Sequence, residues 1–389
     1  IDDYFNCLAV GSVMRPVTDA KRVSRAKLAF IIDATAAPVC MIAPISSWAA
    51  AVSQYSAGTG YNGLELFIQA IPYNFYSLLA LCFVVMLVLM RFDYGPMVRY
   101  ERNAIMNGDV HTVQPEQAMQ EETHTDTHRG KLLDLIVPVL MLIGLETFAL
   151  VYVGGILEGK SFADALSATD ATVGLPWGAI IALVFSVAFY RIRGVLSFRA
   201  AMRCIPKGFI AMVPAILILT LATALKNVTT ALEAREFIAY HMEHSAAGLV
   251  NFLPAVIFVV AGILAFSTGT SWATFGILIP IVVSTFDPSS PLMFIGMSAC
   301  LAGAVAGDHC SPISDTTIMS SAGAQCDHLS HVSTQLPYVL TVSAVSFAAF
   351  LLAGFVHNWF IVFPLALASL LITLLVLKKR SAKAQADNA

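Results

Sequence analysis

The stretch Ala304-Val-Ala-Gly-Asp-His-Cys-Ser-Pro-Ile-Ser-Asp-Thr-Thr317 gathers hard oxygen donors directly after an apolar run. Gly307 and Pro312 interrupt a helix there, because proline lacks the N–H and clashes with the preceding turn. The interruption frees backbone carbonyls. Around it stand Asp308, Ser311, Ser314, Asp315, Thr316 and Thr317. A dehydrated sodium ion is held by carboxylate, hydroxyl and carbonyl oxygens, and this stretch offers all three. Na+ is expected at Asp308 and the neighbouring hydroxyls, and no transition metal is. The plainer alternative has the hydroxyls satisfying freed backbone groups, with Asp315 at an aqueous boundary. Asp308 resists that alternative, since an acid inside an apolar run is costly unless it is paired or used.

Two further stretches carry related chemistry. In Phe266-Ser-Thr-Gly-Thr-Ser-Trp-Ala-Thr-Phe275, the small residues Ser267, Thr268, Gly269, Thr270 and Ser271 suit a tip where backbone approaches an ion, or an ordinary tight turn. In Leu28-Ala-Phe-Ile-Ile-Asp-Ala-Thr-Ala-Ala-Pro38, Asp33 and Thr35 lie in an apolar segment with proline breaks and hydroxyls nearby. Glu146 is another acid inside an apolar run. His309 beside Asp308 is a candidate hydrogen-bond partner or proton site. The set Asp327-His328-Leu-Ser-His331 resembles a metal-ligand spacing only superficially and reads as solvated histidines in a connection. The seven cysteines show no CxxC pair and read as small buried hydrophobes.

The elements that must position these residues follow from composition. Of 389 residues, 58% are hydrophobic and 12% charged, with a mean hydropathy of +0.76. Soluble domains carry about 25% charge, so too few charges are present to coat a water-soluble surface. The composition argues against a secreted disulfide scaffold and a disordered chain, and a net charge of −3 offers no basic face for nucleic acid. An outer-membrane barrel would show alternating strands of about ten residues, whereas these apolar runs are longer and continuous. The reading is an all-α polytopic membrane protein whose partner is the lipid bilayer. It has about nine or ten membrane segments, among them Lys27–Val52, Phe75–Met90, Phe209–Leu225 and Leu292–Thr317, and residues 1–14 resemble the tail of one more. The opening Ile-Asp-Asp-Tyr, without Met, leads us to expect a preceding N-terminal portion.

The 22 Lys and Arg residues cluster: five in 15–27, five in 91–131, five in 191–207 and four in the C-terminal tail. Counting crossings places these segments on one side, the cytoplasm by the positive-inside rule. The parity requires 249–286 to start and end outside, as a re-entrant hairpin or as two full spans; the short second arm favours the hairpin. Segments 195–207 and 228–243 read as amphipathic interface helices. The expected division is 1–91 as the end of a first repeat with a linking helix, then 92–131 as a cytoplasmic linker, disordered over its polar part. Residues 132–356 form a second repeat with hairpin 249–286 and broken helix 292–319, and 357–389 form a last helix and basic tail. The repeat rests on an echo. Cys7-Leu-Ala, Arg15-Pro-Val-Thr-Asp19 and Thr35-Ala-Ala-Pro38 recur as Cys300-Leu-Ala, Ser311-Pro-Ile-Ser-Asp315 and Thr334-Gln-Leu-Pro337. Transporters are commonly built from two such repeats with the site between them. Whether the repeats are inverted stays open.

Gly307-Asp-His-Cys-Ser-Pro-Ile-Ser-Asp-Thr-Thr317, preceded by Gly269-Thr-Ser-Trp-Ala-Thr-Phe275, resembles the NhaC-type sodium/proton antiporters. Arg15-Pro-Val-Thr-Asp19, Asp33-Ala-Thr-Ala-Ala-Pro-Val39 and Ala43-Pro-Ile-Ser-Ser-Trp48 look like that family's first-half motif. Ala273 stands where the family pattern has Gly. The resemblance implies a secondary active transporter with re-entrant hairpins and broken helices, in which Na+ and H+ compete for buried carboxylates. It implies a multi-pass protein of the bacterial inner membrane, with a cytoplasmic C-terminus and no cofactor, and adds Asp19 to the ion-site candidates. Relatives exchange malate, lactate or amino acids, so coupled transport of a small organic anion or amino acid is the alternative; the absence of an intramembrane Lys or Arg to anchor a carboxylate favours the bare ion. An intramembrane enzyme is disfavoured because no HExxH is present. A homodimer is left open.

Overall fold

The computed structural model describes residues 3–44, 46–53, 60–61, 63–113, 133–162, 165, 169, 171–210, 213 and 247–387. Among them every regular element is helical. Most of the expected span Phe209–Leu225, segment 228–243 and linker residues 114–132 lie outside the described residues. The helices in chain order are α1 (Asp3–Ala20), α2 (Arg25–Cys40), α3 (Ser47–Ser53), α4 (Gly63–Ala70), α5 (Phe75–Met90), α6 (Met97–Asn107) and α7 (Leu133–Val153). They continue as α8 (Ala171–Ile192), α9 (Leu253–Thr268), α10 (Ser271–Thr285), α11 (Pro291–Cys310), α12 (Asp315–Ala324), α13 (His328–Ala353) and α14 (Trp359–Asp387). Six helical stretches among the described residues are long and apolar enough to cross a membrane, or seven if the bent pair Gly63–Tyr73 and Phe75–Met90 forms one span.

The chain divides into two compact units. One comprises Ile1, Pro44–Phe67 and Glu121–Leu217. Its α7 and α8 pack antiparallel. Arg193 beyond the end of α8 pairs with Asp134 at the start of α7 at 3.0 Å, and the Thr169 hydroxyl before α8 donates to the Leu150 carbonyl at 2.6 Å. Gly174 and Gly178, four apart on α8, lie where a Cβ would press on the backbone of Leu150 and Glu146. Small residues at that spacing let two apolar helices approach closely.

The other unit comprises Asp2–Ala43, Ile68–Gln120 and Ile218–Ala389. Its centre is α11, 94% buried over Pro291–Cys310, against 28% for the neighbouring α9 window Leu249–Thr268. Such burial requires small residues. Gly303 and Gly307 lie against the backbone of α9 at Phe258 and Gly262, so the two helices touch main chain to main chain. On another side, Phe30, Phe83, Tyr94 and Tyr338 form an aromatic cluster with centroids 4.7–6.5 Å apart, which joins α2, α5 and α13.

Two expectations need correction here. The apolar run Lys27–Val52 is not one helix. It stops at Cys40 and resumes as α3, since a residue preceding proline, here Ala43 before Pro44, is pushed out of helical geometry. The stretch 92–131 is not linker throughout, because residues 97–107 form α6. The Glu101 carboxylate accepts from the Ser24 N–H at 2.8 Å and from Lys27 Nζ at 3.3 Å, while Asp93 takes Lys27 at 2.8 Å. A charged but amphipathic helix is held to the N-terminus of α2 by those pairs, a partnership invisible in local composition. Of the cysteines, Cys7, Cys40, Cys300 and Cys326 are buried as expected, whereas Cys204 is exposed.

Candidate functional site

The site forms where two chain breaks of the second unit meet. The α9–α10 break turns at Gly269, whose φ is +67°, followed by extended Thr270. The α11–α12 break runs from Ser311 to Ser314, both extended. The breaks hold one another: the Ser311 hydroxyl donates to the Phe266 carbonyl at 2.8 Å, and the Asp315 N–H points at the Gly269 carbonyl at 3.4 Å. A Cβ on Gly269 would lie 2.6 Å from the Ile313 carbonyl oxygen, so glycine is required both by the left-handed turn and by the crossing. Ser314 caps α12 by accepting from the Thr317 N–H at 3.2 Å.

Asp308, in the last turn of α11, is fully buried. Its Oδ2 accepts from the Ser271 hydroxyl at 3.0 Å and the Thr316 hydroxyl at 3.2 Å; Ser314 and Thr316 hydroxyls are 3.2 Å apart. Its Oδ1 is buried with no hydrogen-bond partner, as is the Thr270 hydroxyl. Asp33 on α2 is also fully buried. Its Oδ2 accepts from Gln335 Nε2 at 2.7 Å and the Thr317 hydroxyl at 3.0 Å, and its Oδ1 has no hydrogen-bond partner. Among the described residues no Lys or Arg pairs with either acid. A buried, unpartnered carboxylate oxygen is expensive, so each acid demands either a proton or a cation. Among the described residues no three His, Cys, Asp or Glu side chains are arranged to hold a metal ion. The cation donors here are carboxylate and hydroxyl oxygens, the set that suits a hard alkali ion.

Histidines flank Asp33. His309 Nδ1 meets the Tyr76 hydroxyl at 3.0 Å, while its Nε2 has no hydrogen-bond partner and lies 3.9 Å from Asp33 Oδ1. His331 is fully buried, with Nε2 2.8 Å from Gln335 Oε1 and 3.6 Å from Asp33 Oδ2. This overturns the reading of Asp327-His328-Leu-Ser-His331 as solvated histidines. His331 is in the first turn of α13, which faces the site, and only His328 stays partly exposed. Ser321 joins the two rings, at 3.1 Å from His328 Nδ1 and 3.3 Å from His331 Nδ1. A string of polar groups thus leads from Asp33 to His328, whose Nε2 contacts the Pro312 carbonyl at 2.6 Å.

The remaining expected residues divide. Ser271, Ser314, Thr316 and Asp308 converge; Thr270, next in the chain to Ser271, keeps a buried hydroxyl with no hydrogen-bond partner; Ser311 holds the crossing. Asp315 lies at the rim, its carboxylate accepting from Tyr4 at 2.7 Å and from the Thr316 N–H at 2.7 Å. Ser267 and Thr268 are exposed and donate to carbonyls of their own helix, Ile263 and Leu264. Thr35 likewise donates to Ile31 at 2.7 Å, the usual recourse of a hydroxyl in an apolar helix. Asp19 pairs with Arg25 at 2.7 Å rather than joining the acids. Glu146 belongs to the other unit, on α7. Tyr4, Tyr76 and Gln335 were not anticipated. Gln335 carried a signal, as it follows His331 by one helical turn on the same helix face; Tyr4 and Tyr76 carried none.

A family model described as the Na+/H+ antiporter family matches residues 39–355. An uncharacterized protein of Haemophilus influenzae is 36% identical over 393 aligned residues, covering 98% of this chain and 73% of that protein. Two shorter similarities are to the malate-2H(+)/Na(+)-lactate antiporter of Bacillus subtilis and the arginine/ornithine antiporter ArcD of Halobacterium salinarum. The first is 31% identical over 26% of this chain and 21% of that protein. The second is 32% identical over 28% of this chain and 23% of that protein. No solved structure matches the chain significantly.

Proposed function

The chain belongs to the Na+/H+ antiporter family, and from that premise we propose that Na+ and H+ compete for Asp308 as the protein exchanges them by alternating access. It is a multi-pass membrane protein and a secondary transporter, not an enzyme. The observation that carries the assignment is the unpartnered, fully buried Asp308 Oδ1 of a carboxylate held by the Ser271 and Thr316 hydroxyls, with Ser314 against Thr316, at the crossing of two breaks. Low dielectric favours the protonated carboxyl, and a bound cation favours the ionised one. One group therefore holds either ion but not both. Asp33, with His309, His331 and Gln335, is the second acid of the site, and Asp315 orients the start of α12.

The α9–α10 pair is read as the re-entrant hairpin, α11–α12 as the broken helix, and the two motif copies as the marks of a two-repeat transporter. The basic segments and the C-terminal tail face the cytoplasm of a bacterial inner membrane. The test is dequenching of a pH dye in everted vesicles on adding Na+. Asp308→Asn should abolish Na+-driven proton movement at matched expression. Exchange at the wild-type rate and affinity would transfer the role to Asp33.

A second reading, exchange of a small organic acid or amino acid, draws on the antiporters of Bacillus subtilis and Halobacterium salinarum. Adding malate, lactate or arginine to the same vesicles separates it, because dequenching that needs the organic solute and not Na+ alone would favour it.

A further inference from the structure

A cavity of about 1010 Å³ lies between α6 and the end of α14, lined by Arg99, Arg102, Asn103, Met106, Leu377 and Arg380 among others. Arg99 and Arg102 stand one turn apart on α6, and Arg380 arrives from α14. Among the described residues no carboxylate lines the cavity. The acids nearest in sequence have other partners: Asp93 and Glu101 hold Lys27, and Asp109, not itself a lining residue, accepts from the lining residue Asn103 at 2.8 Å. Among the described residues none of the three guanidinium groups has an ion-pair or hydrogen-bond partner. The three exposed arginines from two helices share one cavity and make it electropositive, which favours an anion between them. Arginine presents its N–H groups in a fork that matches phosphate oxygens.

Position identifies the class of anion. The apolar span of α14 runs from Trp359 to Ser381, so Arg380 stands at its end, where hydrocarbon gives way to headgroups. The rim is apolar on the membrane side, with Leu377 and Met106 lining the cavity and Leu375, Val376 and Ile105 exposed beside it. A free phosphate has no use for that rim, whereas acyl chains do. We propose that this cavity binds the phosphate headgroup of an anionic phospholipid, with its chains laid against α14.

The experiment is native mass spectrometry of the delipidated full chain in detergent, titrated with phosphatidylglycerol, phosphatidylcholine or inorganic phosphate. Phosphatidylglycerol should bind the wild type discretely and phosphatidylcholine should not. About 1 kcal/mol per basic residue near a membrane surface corresponds to a factor of about five. Each of Arg99→Gln, Arg102→Gln and Arg380→Gln should weaken phosphatidylglycerol binding roughly fivefold, and the triple variant on the order of a hundredfold. Arg199→Gln with Arg203→Gln, in the exposed basic stretch of the other unit, should leave it unchanged. The single variants carry the test if the triple variant does not fold. Undiminished lipid binding in the Arg380→Gln and Arg102→Gln proteins would overturn the proposal. So would inorganic phosphate competing with the lipid at equal concentration, since the site would then be one for a soluble anion.

Discussion

Arg15-Pro16-Val17-Thr18-Asp19 and Ser311-Pro312-Ile313-Ser314-Asp315 place proline, hydroxyl and acid at the same spacing, yet they adopt opposite structures. The first lies inside α1, which runs unbroken through Pro16. The second is the break between α11 and α12. The hydroxyls mark the divergence. Thr18 donates back to Met14 and Arg15 carbonyls at 3.1 and 3.0 Å, as a residue in mid-helix does, while Ser314 turns forward to cap a new helix. The acids diverge with them: Asp19 pairs with Arg25, and Asp315 closes the rim of a buried site. Proline marks where a helix can be interrupted. The interruption is realised where a neighbouring chain, here the Phe266–Gly269 backbone, supplies partners for the freed groups.

The comparison is most easily broken at that neighbour. Gly269→Val adds a β-branched side chain at φ +67° against the Ile313 carbonyl. It should cost about 2–5 kcal/mol, read as a lowered melting temperature in detergent, and should disrupt the α11–α12 break while leaving α1 intact. Next come the prolines. Pro16→Ala restores a helix donor at an exposed position and should stabilise the protein by roughly 1–3 kcal/mol. Pro312→Ala, in a break held by other contacts, should change stability by less than about 0.5 kcal/mol. Equal effects of the two substitutions would mean that both segments are helical or both broken. Smaller again are the hydroxyls. Ser314→Ala removes a cap and should cost about 1 kcal/mol, whereas Thr18→Ala should be neutral to within about 0.5 kcal/mol.

The smallest effect concerns acid pH near the first motif. Burial, then the charge of Arg25, pushes the His111 imidazole below its ordinary range, against the pull of Asp19 and Asp109. With its folded value lowered, His111 contributes stability above its unfolded value near 6.5, and that stability is lost as pH falls through the folded value. Protection factors for hydrogen exchange over residues 108–113, taken relative to the intrinsic rate at each pH, should therefore fall below about pH 6.5, and His111→Gln should flatten the dependence without altering protection near Ser314.

Much of the fold was legible because the bilayer imposes its own arithmetic: apolar runs of span length, clustered basic residues and glycine–proline interruptions. The site was legible in part. Asp308, Thr270, Ser271, Ser314 and Thr316 were readable because acids and hydroxyls are scarce in apolar runs, so their clustering around a break carries information. Ser267 and Thr268 belong to the same cluster in sequence but point away, since the helical turn ending at Gly269 sends neighbouring side chains in different directions. The α6 helix, inside the stretch expected as linker, was not legible because its anchors are Ser24, Lys27 and the Tyr100–Ser330 hydrogen bond rather than its own composition.

The sequence alone determined the membrane class, the places where helices can break and the acid that cannot rest unused, because burying a charge or losing an N–H has a cost that depends on residue type. Only the tertiary structure decided that Asp33 meets Gln335, Thr317 and two histidines, that Tyr4 reaches Asp315 across 311 residues, and that one proline motif breaks while its echo does not. Those outcomes depend on which backbone lies alongside, and a helix's own periodicity states which face is apolar without stating what it will touch.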